Sequence, residues 1–370
     1  MDYLPKSDID KIISEYNIDV DSTTLIKIEN QKDSTNVFRV HRSDLIEELY
    51  IIDTEEGKNI ACHPHILGKS LENQAFNAAL EAAKAMSQLT SLSSTNLDSI
   101  VVENILRAGP GYELHTAFRK LNSGRAFKDV WIRPKYEKSS YRSHSDESDK
   151  ELNIVYEDFE SLPHQKEITL LKPDTEASGK TGQKSIERIV RKCKEVKSTI
   201  KEIILYGFIS IPALKAINET VKRHGIKLVA FSIEDITELA HNNYDMTMYG
   251  IDESLWNFSG EIKKLGSVVD LKTLEKLLPE FIPGSDQPGD WSNRQSSVYV
   301  TKEKKEYIRV EEHLQNSIRL IESLKRISNF TSWQEEITEK ELQLLYSAIQ
   351  GETASSSKKE KSVSGLHQNP

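Results

Sequence analysis

Between residues 168 and 232 short apolar runs alternate with amphipathic stretches, and few architectures accept that rhythm. Ile168-Thr169-Leu170-Leu171, Glu202-Ile203-Ile204-Leu205-Tyr206-Gly207 and Lys227-Leu228-Val229-Ala230-Phe231-Ser232 have the length and β-branched content of buried strands. The intervening segments, one opening at Ser185-Ile186-Glu187-Arg188-Ile189-Val190 and one spanning residues 212–224, carry helical spacing. Strands separated by helices pair in parallel through crossovers, so the chain is expected to form an α/β fold with a mostly parallel sheet flanked by helices. Upstream, an alanine-rich amphipathic helix over 71–92, a strand over 99–106, a glycine-bearing turn over 107–111, a helix from about Tyr112 and a strand over 128–133 extend the pattern.

The strand at 168–171 runs into Lys172-Pro173-Asp174-Thr175-Glu176-Ala177-Ser178-Gly179-Lys180-Thr181-Gly182 before the next helix. A loop at that position offers backbone N–H groups and the positive end of a helix dipole to an anion, which makes it a phosphate cradle. Ser178 and Thr181 add hydroxyl donors and Gly179 allows close approach. Asp174 or Glu176 can accept from sugar hydroxyls near a magnesium ion. Two other readings fit part of the same string. Gly179-Lys180-Thr181 matches the end of a nucleotide-binding P-loop, although that motif needs glycine where this chain has Asp174. An ordinary strand-to-helix turn capped by Thr and Ser also fits.

With 370 residues the chain is long enough for one large domain with additions or for two ordinary ones, because single cores stop growing at roughly 250–300 residues. The expected division is an N-terminal extension over 1–60, the α/β domain over 61–298, a helical addition over 299–350 and a tail without order over 351–370. Within the addition, Val310, Leu314, Ile318, Ile321 and Leu324 keep helical spacing, and a second helix over 332–349 is opened by a Ser332-x-x-Glu335 capping box. The polar run 138–150, with Tyr141-Arg142, reads as a mobile loop able to close over a ligand.

A net charge of −9 argues against general affinity for nucleic acid or anionic membrane. An acidic, polar N-terminus, the absence of a long apolar run, and only two cysteines, Cys62 and Cys193, lead to the expectation of a cytoplasmic protein with two buried thiols. His63 and His65 have metal-like i, i+2 spacing, but no third ligand stands near them in sequence, so structural roles are expected. His115 and Arg119 are expected to face solvent.

The string from Thr175 to Thr181, T-E-A-S-G-K-T behind an apolar strand, resembles the D-D-x-x-x-T-G-G-T signature with which type I phosphoribosyltransferases bind phosphoribosyl pyrophosphate (PRPP). Four further segments resemble the uracil phosphoribosyltransferases. His63-Pro64-His65-Ile66-Leu67-Gly68-Lys69 is similar to their H-P-L-I-x-H-K, and Ile105-Leu106-Arg107-Ala108-Gly109 matches their I-L-R-A-G pyrophosphate loop. Tyr249-Gly250-Ile251-Asp252-Glu253-Ser254-Leu255 is similar to Y-x-x-I-D-x-x-L, and residues 282–290 to V-P-G-L-G-D-A-G-D. The segments occur in family order across residues 63–294.

The resemblance implies a phosphoribosyltransferase-type sheet and transfer of phosphoribosyl from PRPP to a nucleobase, uracil first, with release of pyrophosphate, magnesium as cofactor and a homo-oligomeric state. It implies that Arg107, Ala108 and Gly109 hold pyrophosphate and that Asp174, Thr175, Glu176, Ala177, Ser178, Gly179, Lys180 and Thr181 hold the ribose phosphate. Ile282, Pro283, Gly284 and Ser285 would read the base. Arg107, Asp174 and Asp290 would be catalytic, with Asp290 at the metal. The chain departs from the family pattern at Pro173, Lys180, Gln287 and Trp291, and Leu71-Glu72-Asn73-Gln74 stands where L-R-D-x-x-T belongs. Two alternatives remain open: a regulatory protein that binds PRPP or a nucleotide without turnover, and a P-loop kinase. Trp291 is expected to give a wider or stacking pocket.

Overall fold

The computed structural model describes residues 4–136 and 151–364, with side chains as far as residue 351; the loop expected at 138–150, with Tyr141-Arg142, lies outside the described residues. Among the described residues nine strands form one sheet: β1 (Thr23–Ile26), β2 (Asn36–Val40), β3 (Glu48–Asp53), β4 (Ile100–Ile105), β5 (Lys128–Tyr136), β6 (Leu152–Asp158), β7 (Glu167–Pro173), β8 (Thr199–Gly207) and β9 (Lys227–Ile233). Their order is β1-β2-β3-β9-β8-β7-β4-β5-β6. Pairing is parallel from β3 through β9, β8, β7 and β4 to β5, and antiparallel at both edges. This is the mostly parallel sheet expected from the strand-helix alternation.

Helices α1 (Lys6–Tyr16), α2 (Glu55–Cys62), α3 (Gly68–Leu89), α4 (Leu114–Leu121), α5 (Lys180–Glu195) and α6 (Ile211–Arg223) are followed by the short α7 (Glu253–Ser259), α8 (Leu271–Leu277) and α9 (Trp291–Arg294). Successive strand residues point to opposite faces, and the two cores follow that alternation. Leu171, Ile204, Tyr206, Val229 and Phe231 face a core shared with α2, α3 and α8, whereas Leu170, Ile203, Leu205, Leu228 and Ala230 face α5 and α6. Cys62 and Cys193 are buried, one in each core. No helix among the described residues is long and apolar enough to cross a membrane.

An N-terminal piece is present, and it enters the sheet rather than flanking it. Tyr50 on β3 is in register with Phe231 on β9, and their rings stack at 4.9 Å. The run Leu49-Tyr50-Ile51-Ile52 is buried on both faces, as a parallel strand requires.

The C-terminal addition is a pair of helices, α10 (Glu311–Ile327) and α11 (Ser332–Ser364). Leu314, Ile318, Ile321 and Leu324 of α10 pack with Leu342 and Leu345 of α11 around Ile282. The cap of α11 differs from the expected Ser332-Glu335 box by one residue: Gln334 Oε1 accepts from the backbone N–H and hydroxyl of Thr331. Either Thr331 or Ser332 satisfies the pattern in sequence, and the direction of chain entry decides between them. Helical backbone continues past residue 349 to Ser364 through a stretch rich in lysine, serine and glutamate.

Candidate functional site

The turn after β4 and the loop after β7 lie side by side, because β4 and β7 are parallel neighbours and both turns leave the same end of the sheet. The Leu106–Arg107 peptide is cis, and Arg107 and Ala108 are half-buried. Gly109 rests on the end of β7: a Cβ there would come within 2.8 Å of the Pro173 carbonyl, so only glycine allows the two turns to meet this closely. Tyr112, at the end of the same turn, lies 2.5 Å from Thr175 Oγ1 through its hydroxyl.

The first half of the loop after β7 continues to pair with the segment after β8. Asp174 N–H donates to the Tyr206 carbonyl, Glu176 N–H to Phe208, and Ser210 N–H returns to Glu176. Gly207 is required here, since a Cβ would sit 2.0 Å from the Asp174 carbonyl oxygen. The Ser210 hydroxyl donates to the Ala177 carbonyl and accepts from Ala213 N–H as the cap of α6. Beyond Ala177 the chain is released. Gly179 takes a left-handed φ of 75° and α5 begins at once at Lys180, not near Ser185 as its apolar spacing suggested. Lys180, Thr181 and Gly182 are therefore first-turn residues whose N–H groups have no acceptor within the helix. Ser178, Lys180 and Thr181 remain partly exposed at this end.

Residues 172, 174 and 176 share one face of the extended chain, and that face is the interior. Lys172 is fully buried, with Nζ 3.0 Å from Glu176 Oε1, 3.6 Å from Asp174 Oδ2 and 3.9 Å from Glu103 Oε2 on β4. The Glu176 carboxylate lies beneath the first turn of α5, where a Cβ on Gly182 would stand 2.7 Å from it. The lysine and the helix N-terminus together compensate the buried acids. Burial pushes the Asp174 carboxyl up to about 8, against the pull of Lys172, and raises Glu103 as well. Lys172 is raised further by its three carboxylate neighbours than burial lowers it. Asp174 and Glu176, expected beside a ribose, thus point inward, while Thr175 and residues 177–181 remain on the outer side. The K-x-D-x-E alternation carried this signal; the partner Glu103, distant in sequence, did not.

The segment 282–285 is buried and internally bonded. Gly284 N–H donates to the Met248 carbonyl, Ser285 N–H to Ile282, and Met248 N–H to Ser285. Gly284 holds a φ of 89° with Leu324 of α10 against its α-carbon. The backbone of 282–284, expected at a base edge, is therefore spent on a turn under the C-terminal helices. Gln287, which departs from the family pattern, donates from Nε2 to both Asp235 oxygens at 2.9 and 3.1 Å. Asp290 is 3% exposed and accepts from the Tyr244 hydroxyl at 2.8 Å. Trp291 stacks within the protein, on Tyr112, rather than lining an open pocket.

Two arrangements had no sequence signal. Arg294 is completely buried and donates to the carbonyls of Ile60, His63, Ile66 and Pro288 at 3.0 to 3.2 Å, locking the histidine-proline segment to residues 287–290; burial lowers it to about 10. His63 and His65 do have a third neighbour, Glu341, brought by α11 from 276 residues away. His115 is half-buried, not solvent-facing, and Arg119 is exposed.

No protein-family model and no curated protein matches this chain. Similar solved structures include the AQ2163 protein from Aquifex aeolicus, 16% identical over 53% of this chain and 91% of that one, with a TM-score of 0.38. Orotate phosphoribosyltransferase from Mycobacterium tuberculosis H37Rv, in complex with inorganic phosphate, is 12% identical over 44% of this chain and 75% of that one, with a TM-score of 0.26. Adenine phosphoribosyltransferase from Trypanosoma brucei, in complex with AMP, pyrophosphate and ribose-5-phosphate, is 11% identical over 57% of this chain and 87% of that one, with a TM-score of 0.31.

Proposed function

We propose that this chain transfers the phosphoribosyl group of PRPP to a nucleobase, uracil first among candidates, releasing pyrophosphate. The observation that carries the reading is the meeting of the Arg107–Gly109 turn with the 174–181 loop at one end of two parallel strands, the loop opening directly into α5. A diphosphate and a sugar phosphate joined through one ribose call for two anion-binding turns side by side. Arg107 and the adjacent backbone would take the diphosphate, and the 177–181 amides with Ser178, Lys180 and Thr181 the 5-phosphate. The breaking glycosidic bond develops positive charge on the sugar and negative charge on the leaving diphosphate, so the protein's part is to hold the departing anion and orient the base.

Magnesium is part of the proposal only as a companion of the diphosphate. Asp174 faces Lys172 and Asp290 accepts from Tyr244, so these carboxylates do not form an octahedral oxygen cage, and no step is assigned to the ion. A second reading, a protein that binds PRPP or a nucleotide without turnover, is favoured by the same inward Asp174 and by the turn at 282–284 buried under α10. Pyrophosphate release from PRPP with magnesium, measured over a panel of single bases, separates the two. Release with one base identifies a transferase and its acceptor. Measurable PRPP binding without release from any base overturns the transferase reading.

A further inference from the structure

His63 and His65 flank Pro64 in the connector between α2 and α3, and α11 lays Glu341 across both. His65 Nδ1 stands 2.7 Å from one oxygen of that carboxylate and His63 Nδ1 3.3 Å from the other. Donor atoms from the three side chains all lie within 4.8 Å of one another. A tetrahedral shell with bonds near 2.0 Å places its ligands about 3.3 Å apart; the His63–Glu341 separation matches that spacing and the His65–Glu341 separation is shorter.

The far edge of the His63 ring supplies the second half of the argument. Its Nε2 lies 3.3 Å from Glu280 Oε2. A carboxylate only accepts, so the Nε2 position carries the proton and Nδ1 faces Glu341. Glu341 likewise only accepts, so in the metal-free chain Nδ1 is protonated as well; a metal ion would take the place of that proton while Glu280 fixes the other ring nitrogen, as outer carboxylates do for metal-binding imidazoles. The histidine side chains are 19% and 26% exposed while Glu341 is 4% exposed, so the cluster opens to solvent on the imidazole side. The scaffold is rigid: Arg294 holds the His63 carbonyl, and His313 of α10 stands 2.9 Å from the Pro64 carbonyl through Nε2.

We propose that His63, His65 and Glu341 form a site for a divalent transition metal of the zinc class, with Glu280 orienting His63 and water in the fourth position. Two imidazoles and one carboxylate suit such an ion better than magnesium or calcium. The bound ion fastens α11 to the connector, and with it the helical pair that covers residues 282–285. This site is independent of the transferase reading.

Cobalt(II) added to the metal-free full-length chain is the probe. One equivalent is expected to produce the visible absorption of a low-coordinate cobalt site, and zinc to displace it. His65→Ala and Glu341→Gln abolish the absorption, and Glu280→Gln weakens binding by about 10- to 100-fold. Zinc, but not magnesium, raises the melting temperature of the wild-type chain, by an amount that grows with the logarithm of its concentration above the dissociation constant. Circular dichroism establishes that each variant is folded. If one is not, the wild-type histidine ring resonances decide, because zinc must shift those of His63 and His65. Absence of cobalt absorption and zinc stabilisation in the wild type, unchanged ring resonances, or undiminished binding in folded His65→Ala, overturns the site and leaves a pair of imidazolium-carboxylate contacts.

Discussion

Trp291 lies flat on Tyr112, their ring centroids 4.3 Å apart and their planes 13° from parallel. The stack joins the turn after β4 to α9, and the Tyr112 hydroxyl carries the link on to Thr175. The two contacts tie together three segments distant in sequence.

Trp291→Ala is expected to destabilise the fold by about 3–5 kcal/mol, since it removes a large buried ring and leaves a cavity. Trp291→Phe should cost less than half of that, because a ring remains and the buried indole N–H, which has no hydrogen-bond partner among the described residues, is removed. Urea midpoints at constant m-value measure both; equal losses for Phe and Ala would show that the stack does not carry the stability.

Lys172→Met should cost about 3–5 kcal/mol, because it strands Glu103 and Glu176 in the interior without their cation. Pairing it with Glu176→Gln in a double-mutant cycle should recover part of the loss, read from the same denaturation curves. Strictly additive losses would mean that the two groups do not interact.

Asp235 gives a pH dependence with a defined sign. Burial raises its carboxyl from 3.8 to about 7, while the hydrogen bonds from Gln287 pull the other way. Between these values the folded chain keeps a proton that the unfolded chain has lost, so this group makes stability fall as pH rises from about 4 to about 7. Asp235→Asn should flatten that part of the profile relative to wild type. Denaturation midpoints across the range check it, and parallel wild-type and variant profiles would refute it.

Arg107→Ala is expected to lower pyrophosphate release from PRPP by about a hundredfold or more while leaving the melting temperature unchanged, because Arg107 is half-buried at a turn and outside both cores. Unchanged turnover in an active preparation would remove the pyrophosphate role from this turn.

By itself, the sequence determined the local order of this protein. The spacing of apolar residues was enough for β4, β7, β8, β9 and the helices between them, because a strand buried on both faces leaves a continuous apolar run and a packed helix a stripe. The loop at 174–181 was legible for the same reason: its glycine, hydroxyls and flanking elements are neighbours in the chain. Tertiary structure decided which way those residues face. Asp174 and Glu176 turn inward because Lys172 and Glu103 meet them there, and Glu103 belongs to another strand. Likewise, β3 became a sheet strand through pairing with β9, and His63 and His65 gained Glu341 only when α10 and α11 folded back. Periodicity records burial along one segment, whereas the partner of a buried charge is chosen by packing between segments far apart in sequence.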